Sequence, residues 1–348
     1  MRWRNAVILA AAIVVVLAVI ATTLVLRRGR PPLAARLLPP ADAYLYIDLQ
    51  PLRTAGLFKN VVNPDPEYAQ FVADTGFQFE RDLDEAAFAV HFTPVGLTIS
   101  KTPPETRYSE VFVGRFDDAK LAAFLRKSAE TSRPYRKTII YSIPLPGRTV
   151  RVAVLNKGMV AASNADSEFL IQTIVDRYDE SFGGNGNQLL RRYYREVPLA
   201  SVAWAIARTA SSGQQGNAQF VLPGGYELFF PADTVIVAAV RYLGSVQFRA
   251  DAFTRTQEDA QRVSDQLNAY LALARTIEVR AGGSIDPDLK AFFDSISVSQ
   301  QENRAELNAT IPPGFVKKLV TESPSLPVTG AAPTPTPEKK KMPRRRRR

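Results

Sequence analysis

Residues 234–253, TVIVAAVRYLGSVQFRADAF, contain two alternating stretches on either side of Gly244. The inward face of the second stretch is predicted to consist of Val246, Phe248, Ala250 and Ala252. Its outward face is predicted to consist of Gln247, Arg249 and Asp251. A period of two is typical of a half-buried strand. A glycine between two such stretches favours a hairpin. The segment therefore predicts an antiparallel sheet.

The same alternation recurs along the chain, with helical patterns between the strands. Further strands are predicted at 43–49, 86–92, 110–116, 138–144, 149–155, 159–163, around 202–206, and at 304–311. Helices are predicted between Asp65 and Gly76, after Asp117, after the capping box Ser163–Asp166, at 187–196, after Thr256, at 287–295 and at 313–320. Residues 209–231 are predicted as a long loop or irregular hairpin. This mixture indicates the α+β class, with mainly antiparallel sheets and packed amphipathic helices.

The order of elements suggests two similar α+β lobes, because 110–178 and 245–320 follow the same loose plan. A membrane anchor is expected at 1–30 and a proline-flanked linker at 31–41. The lobes would then span 42–196 and 197–321. The remaining residues, 322–348, are rich in proline, threonine and basic side chains, a composition that predicts a disordered tail.

The apolar run from Ala6 through Val14 to Leu26 predicts a single transmembrane helix. At about 1.5 Å per residue it spans roughly 30 Å, the hydrocarbon core of a bilayer. A cleaved signal peptide ending at Val19-Ile20-Ala21 is the alternative, but the run is longer than a signal core. The short basic N-terminus favours a signal anchor with the folded domain exported from a bacterial cell.

The net charge of +10 lies at the two ends of the chain. Residues 31–337 contain 31 bases and 33 acids, so nucleic-acid binding by the folded body is not expected. The tail supplies eight bases, Lys339, Lys340, Lys341, Arg344, Arg345, Arg346, Arg347 and Arg348. A flexible basic segment of this kind predicts binding to anionic lipid headgroups or cell-wall polymers. A solubilising tail without a dedicated target is the alternative.

The absence of cysteine and the single histidine exclude several kinds of site. Disulfides, thiolate metal sites and iron–sulfur clusters need cysteine, and a site with two imidazoles needs a second histidine. We expect no cofactor and no bound metal. The sequence contains no G-x-S-x-G, S-x-x-K or H-E-x-x-H motif.

Two places could carry acid–base or metal chemistry. Asp82, Asp84 and Glu85 could be paired carboxylates or calcium ligands, but a polar turn before a strand explains them better. His91 lies opposite Phe88 and Val90 on its strand, as a hydrogen-bonded, partly buried histidine would. We favour the structural interpretation in both places.

Three further segments could bind a partner. GGNGNQ at 183–188 could present backbone N–H groups to an anion, although a linker fits better. Residues 191–195, RRYYR, could stack on single-stranded nucleic acid, but helical spacing places Leu190, Tyr194 and Val197 on one buried stripe. The third segment is an apolar cluster, core or exposed patch, of Phe220, Val221, Leu222, Phe229 and Phe230.

The order of motifs resembles a family of uncharacterised bacterial signal-anchored extracytoplasmic proteins, known as a domain of unknown function. The resemblance rests on Leu38-Pro39-Pro40, the strand at 43–49, TGFQFERDLDE at 75–85 and VFVGRFDDAKLAAFL at 111–125. It covers roughly residues 38–180. It implies an exported α+β domain on an anchor, and it carries over no functional residues.

The sequence therefore favours a single-pass envelope protein with a non-catalytic binding or scaffolding role and a tethering tail. A second hypothesis is a cytoplasm-facing membrane protein whose tail binds nucleic acid or the inner leaflet. A third is an enzyme with an unrecognised carboxylate-based site.

Overall fold

The computed structural model describes residues 30–56, 65–91, 107–180, 187–209, 218–222, 226–242, 244–280 and 287–314. The helices are α1 (Leu33–Leu37), α2 (Gln50–Thr54), α3 (Pro66–Thr75), α4 (Phe79–Asp82), α5 (Asp118–Ser128), α6 (Phe169–Asp179), α7 (Gln188–Tyr193), α8 (Gln257–Arg280) and α9 (Pro287–Ser295). A short 3-10 turn, Tyr194–Glu196, follows α7.

The strands of the first half are β1 (Ala43–Asp48), β2 (Leu83–His91), β3 (Arg107–Gly114), β4 (Thr131–Tyr135), β5 (Thr138–Leu145), β6 (Arg148–Asn156) and β7 (Met159–Ser163). Those of the second half are β8 (Ser201–Arg208), β9 (Ala218–Leu222), β10 (Tyr226–Phe230), β11 (Val235–Tyr242), β12 (Val246–Phe253), β13 (Ser297–Gln301) and β14 (Arg304–Ile311). The prediction of the α+β class with antiparallel pairing is confirmed.

Twelve of the strands form one antiparallel sheet in the order β13-β14-β12-β11-β8-β1-β2-β3-β7-β6-β5-β4. The first strands of the two halves, β1 and β8, pair in the middle with Tyr46 opposite Trp204. In each half the last strand returns beside the strand that precedes a long helix, β7 beside β3 and β14 beside β12. The halves thus share a connection pattern within a continuous sheet.

Helices cover both faces of this sheet. On the face that carries Tyr44 and Tyr46, which we call the tyrosine face, α1, α6 and α7 pack over the central strands. On the opposite face, which we call the leucine face, α3 and α5 cover the first half of the sheet. There α8 and α9 cover the second half. The main core therefore lies under α1, α6 and α7.

Burial in β1 is opposite to what its polarity suggests. Tyr44 is 0% exposed, whereas Leu45 is 41% exposed. The Tyr44 hydroxyl donates to the Pro39 carbonyl at 2.9 Å, so the buried polar atom is satisfied. The side chains on the tyrosine face of β1 are more buried than those on its leucine face, because three helices pack on the tyrosine face.

Residues 31–41, expected to be a linker, contain α1 and contribute to the core. Ala34, Ala35, Leu37 and Leu38 are almost fully buried against the tyrosine face. The LAARLL stretch is apolar enough to pack once its proline flanks hold it against the sheet.

Most predicted boundaries agree with the structure. The Asp65 side chain caps α3, and Gly76 ends it with φ 72°. Asp117 accepts hydrogen bonds from two backbone N–H groups at the start of α5. The Thr256 hydroxyl accepts from the Asp259 N–H at 3.1 Å, as a capping box requires.

Several predictions are corrected. The Ser163–Asp166 capping box does not open a helix, because α6 begins at Phe169 and the Ser163 hydroxyl instead binds strand β3 and the Ala165 N–H. Asp251, predicted to face solvent, is 1% exposed. Its side of β12 is the tyrosine face, which is covered as well. The edge strands β4 and β13 are absent from the sequence-based prediction. Both are short and polar, so they lack the alternation of apolar and polar residues that indicates a strand.

Among the residues that the structure describes, no helix is both long and apolar enough to cross a bilayer. The predicted span, represented by Ala6, Val14 and Leu26, lies outside the described residues. So do residues 315–320 of the last predicted helix and the basic tail from Lys339 to Arg348.

Candidate functional site

Of the three candidate carboxylates around β2, two are bound by arginines and the third faces another carboxylate. Asp82 accepts hydrogen bonds from Arg81 and from the Gln78 N–H. Asp84 forms an ion pair with Arg53 at 2.9 Å. Glu85 lies on the strand opposite Asp48. The structure therefore does not bring these carboxylates together as an acid–base pair.

Their electrostatics differ accordingly. Burial by itself would raise the pKa of Asp82, but the hydrogen bonds from Arg81 and the Gln78 N–H, with the charges of Arg81 and Arg115, lower it overall. Burial raises the pKa of Glu85, a hydrogen bond with the Tyr46 side chain lowers it in part, and the charges of Asp48 and Asp84 raise it further. In the described part of the chain, no group of three or more metal-ligating side chains occurs.

His91 is half-buried at the end of β2, as the sequence predicts. Its Nε2 lies 3.3 Å from the Ser109 hydroxyl oxygen, which in turn lies 3.1 Å from that of Ser163. Burial lowers the pKa of His91. Ser109 is completely buried, so this chain of hydroxyls is a polar element of the core and not an accessible nucleophile.

The RRYYR segment does not form a free stacking surface. Tyr194 packs edge-on against Trp204 with ring centroids 5.4 Å apart, and Tyr193 packs against Phe253 at 5.4 Å. Leu190 and Val197 are buried, so the predicted stripe is confirmed. The three arginines are exposed around it.

The apolar cluster of 220–230 forms a hairpin of β9 and β10 outside the main sheet. Phe230 is buried against α8 and β12, whereas Phe229 is 43% exposed. The hairpin is held to α8 by Gln266, which accepts from the Phe229 N–H at 3.1 Å.

Of GGNGNQ, the first four residues lie outside the described residues, and Asn187 caps α7 by accepting from the Leu189 N–H.

Two neighbouring cavities open at one end of the sheet, with volumes of about 480 and 330 Å³. We call them together the arginine trench. Both are lined by Gln188, Leu189 and Arg208. Antiparallel pairing explains the convergence, because the ends of β2, β8 and β12 and the starts of β1, β11 and β14 meet at this end. Such volumes are within the range of ligand pockets.

Backbone hydrogen bonds fix the walls of the arginine trench. The Arg208 N–H donates to the Asp42 carbonyl at 2.9 Å, and the Thr254 N–H to the Asn303 carbonyl at 2.9 Å. The Asn303 side-chain amide donates back to the Thr254 carbonyl at 3.0 Å. The walls are therefore formed by chain segments that hold one another in place.

The larger cavity is cationic. Its lining contains Arg192, Arg208 and Arg255 but a single carboxylate, Asp233. Asp233 is already paired with Arg255. Arg192 lies over the Tyr193 ring at 5.3 Å. The Arg208 side chain makes no hydrogen bond or ion pair with the rest of the described chain, so its guanidinium is free to bind an oxyanion.

Sequence reasoning missed the arginine trench. Its lining comes from α7, the end of β8, the start of β11, the end of β12 and the turn between β13 and β14. These segments are far apart in the chain. The one local signal is Arg208, a charge that ends the alternating strand SVAWAIAR.

Comparisons with known proteins find no matching family model and no matching curated protein. Solved structures of TP0453 match this chain at low identity. Crystal form III matches with a TM-score of 0.45 at 9% identity, over 83% of this chain and 96% of that chain. Crystal form I matches with a TM-score of 0.43 at 10% identity, over 85% of this chain and 98% of that chain.

Proposed function

We propose that this protein is a single-pass, membrane-anchored bacterial envelope protein whose two similar α+β halves form an extracytoplasmic, non-catalytic binding domain. The arginine trench binds an oxyanion-bearing component of the envelope. The polybasic tail binds the same class of anion and tethers the protein to it. The observation that carries this proposal is the cationic cavity around Arg208, whose side chain has no partner within the described residues.

The chemistry of the arginine trench supports an anionic ligand with an apolar part. A guanidinium binds phosphate and carboxylate groups through paired N–H donors. Gln188 and Asn303 supply further hydrogen-bonding groups, and Tyr193 and Phe253 form an aromatic wall. An anionic lipid headgroup and a phosphate-bearing wall polymer share this chemistry.

The position of α1 supports a location close to the membrane. The predicted span ends at Leu26, and the packed part of the chain begins at Leu33. Seven residue steps reach at most about 25 Å. An anchored domain would therefore remain within reach of headgroups and of polymers at the membrane surface.

Membrane topology tests the location. Alkaline phosphatase, active only after export, and a fluorescent protein that matures only in the cytoplasm are fused separately after Val320. We expect phosphatase activity without fluorescence. Fluorescence without phosphatase activity would contradict the exported location and favour the cytoplasm-facing alternative.

Substitution of Arg208→Gln tests the binding site. The chain without residues 339–348 is placed in neutral phosphatidylcholine nanodiscs. The deletion prevents the basic tail from masking the effect of the substitution. We expect Arg208→Gln to weaken binding of soluble polyphosphate about 10-fold or more, because a hydrogen bond to a charged group contributes about 1.5–3 kcal/mol. Binding is measured by titration at several salt concentrations.

The matched control is Arg126→Gln, an exposed arginine of α5 outside the trench lining. It should leave binding unchanged. Equal losses from both substitutions, or no loss from Arg208→Gln, would contradict a role for the trench. The titration is then repeated with phosphatidylglycerol vesicles. If Arg208→Gln weakens binding to the vesicles more than binding to polyphosphate, the ligand is a lipid headgroup. The opposite order indicates a polymer.

A further inference from the structure

The two edges of the sheet differ in how they resist pairing with another strand. One edge is β4, TSRPY, whose Pro134 lacks a backbone N–H and whose Arg133 is charged. Arg133 also forms an ion pair with Glu168 at 3.2 Å. Proline and charge are the usual devices that prevent strand addition. The β4 edge is therefore protected.

The other edge, β13, has none of these devices. Its sequence, SVSQQ, contains no charge and no proline, and it pairs with β14 without a register shift. Ser297, Ser299 and Gln301 are exposed. The Ser264 hydroxyl donates to the Ser299 carbonyl at 3.3 Å, which holds the strand against α8. Every second residue of such an edge directs its N–H and C=O away from the sheet.

We propose that β13 pairs with β13 of a second copy of this chain, antiparallel and centred on Ser299. Two-fold symmetry then places Ser299 opposite its counterpart, Val298 opposite Gln300, and Ser297 opposite Gln301. No like charges face each other in this register. The same operation on β4 would set Arg133 directly against a second Arg133 and would lose the hydrogen bonds that Pro134 cannot donate.

Charges at the two ends of β13 fit the same arrangement. Arg275 lies at the start of the strand, where its guanidinium donates to the Phe293 carbonyl at 3.1 Å and contacts the Ile296 carbonyl at 3.4 Å. Glu302, exposed, follows the end of the strand. Antiparallel pairing brings the end of one strand beside the start of the other, so each Glu302 approaches the second copy's Arg275. Two complementary charge pairs therefore flank the uncharged centre.

Cysteine crosslinking tests the pairing directly, because the chain contains no cysteine. Residues directly opposite in antiparallel strands have Cα atoms about 4.5–5.5 Å apart, within the range of a disulfide. The full chain with Ser299→Cys, oxidised in its membrane, is expected to form a covalent dimer. The control is Ser132→Cys, an exposed serine of the protected β4 edge. It should crosslink at least 5-fold less.

Charge reversal tests the register. In the Ser299→Cys chain, Glu302→Lys and Arg275→Glu should each lower crosslinking several-fold, and the two together should restore it. Both positions are exposed, and circular dichroism compares each variant with the Ser299→Cys chain, because Arg275→Glu also removes the contacts to the Phe293 and Ile296 carbonyls. Absence of a Ser299→Cys dimer, or equal crosslinking from Ser132→Cys, would overturn the proposal. Failure of the double reversal to restore crosslinking would overturn this register.

Discussion

Replacing Arg249 with methionine is expected to lower the free energy of unfolding by about 3 kcal/mol at pH 7, the size of effect found when a buried ion pair loses one partner. Arg249 Nε and Nη2 donate to Asp251 at 2.9 and 3.1 Å. Nη2 also donates to Glu306 at 3.0 Å. Asp251 is 1% exposed, so the substitution leaves its charge in the core.

The remaining partner compensates only in part. Arg304 lies 3.8 Å from Asp251 and 3.5 Å from Glu306, too far for strong hydrogen bonds. Burial raises the pKa of Asp251 even with Arg249 present, because the hydrogen bond and charge of that arginine do not fully offset desolvation. Without Arg249 the carboxyl is driven further toward its neutral form.

Urea unfolding of the full chain, followed by tryptophan fluorescence, to which the buried Trp204 contributes, measures the loss. The control Arg262→Met removes an exposed arginine that pairs with Asp259 on α8, and it should change stability by less than about 0.5 kcal/mol. Adding Asp251→Asn to Arg249→Met should recover part of the loss, because the carboxylate that is 1% exposed is then replaced by a neutral amide. A loss from Arg249→Met no larger than that of the control would contradict this account.

The Arg249–Asp251 pair also shows how far the sequence alone could predict this structure. Alternation identifies β12 and β14 correctly, because a strand requires only a period of two. It does not tell which face is buried, and here helices cover both. The charges on β12 and β14 could have been matched only with the register, in which Asp251 lies opposite Glu306. Alternation therefore predicts that Asp251 faces solvent, whereas the structure places it in the core.

The same reason limits what could be foreseen of the site. Caps such as Asp65 and Asp117 are local, and the sequence predicts them because the side chain and the N–H groups that it binds are neighbours. The arginine trench depends on the order of twelve strands, which places Arg208 beside Asp233 and Asn303. No pattern within one segment carries that order.

The stability of the protein is expected to fall by about 3 kcal/mol between pH 4.5 and pH 8 because of Glu110 alone. Burial raises the pKa of Glu110 to about 7, and the charge of Arg148 lowers it only in part. On the leucine face Glu110 lies between Phe88 and Ala162 on the neighbouring strands. Neither side chain can donate a hydrogen bond to the carboxylate.

The direction follows from proton binding. A pKa higher in the folded than in the unfolded chain means that the folded state holds the proton more tightly. Stability is then greatest below the unfolded pKa of Glu110 and falls as the pH rises through its folded pKa near 7. Each unit of pKa shift corresponds to about 1.4 kcal/mol.

Substitution of Glu110→Gln isolates this contribution, because glutamine has nearly the shape of the protonated acid but does not ionise. We expect the variant to match the wild type near pH 4.5 and to exceed its free energy of unfolding by about 3 kcal/mol at pH 8. Urea unfolding at the two pH values measures the difference. The control Glu227→Gln makes the same change at an exposed position of β10. A difference for Glu110→Gln that is the same at both pH values would contradict the assignment, since a packing change does not depend on pH.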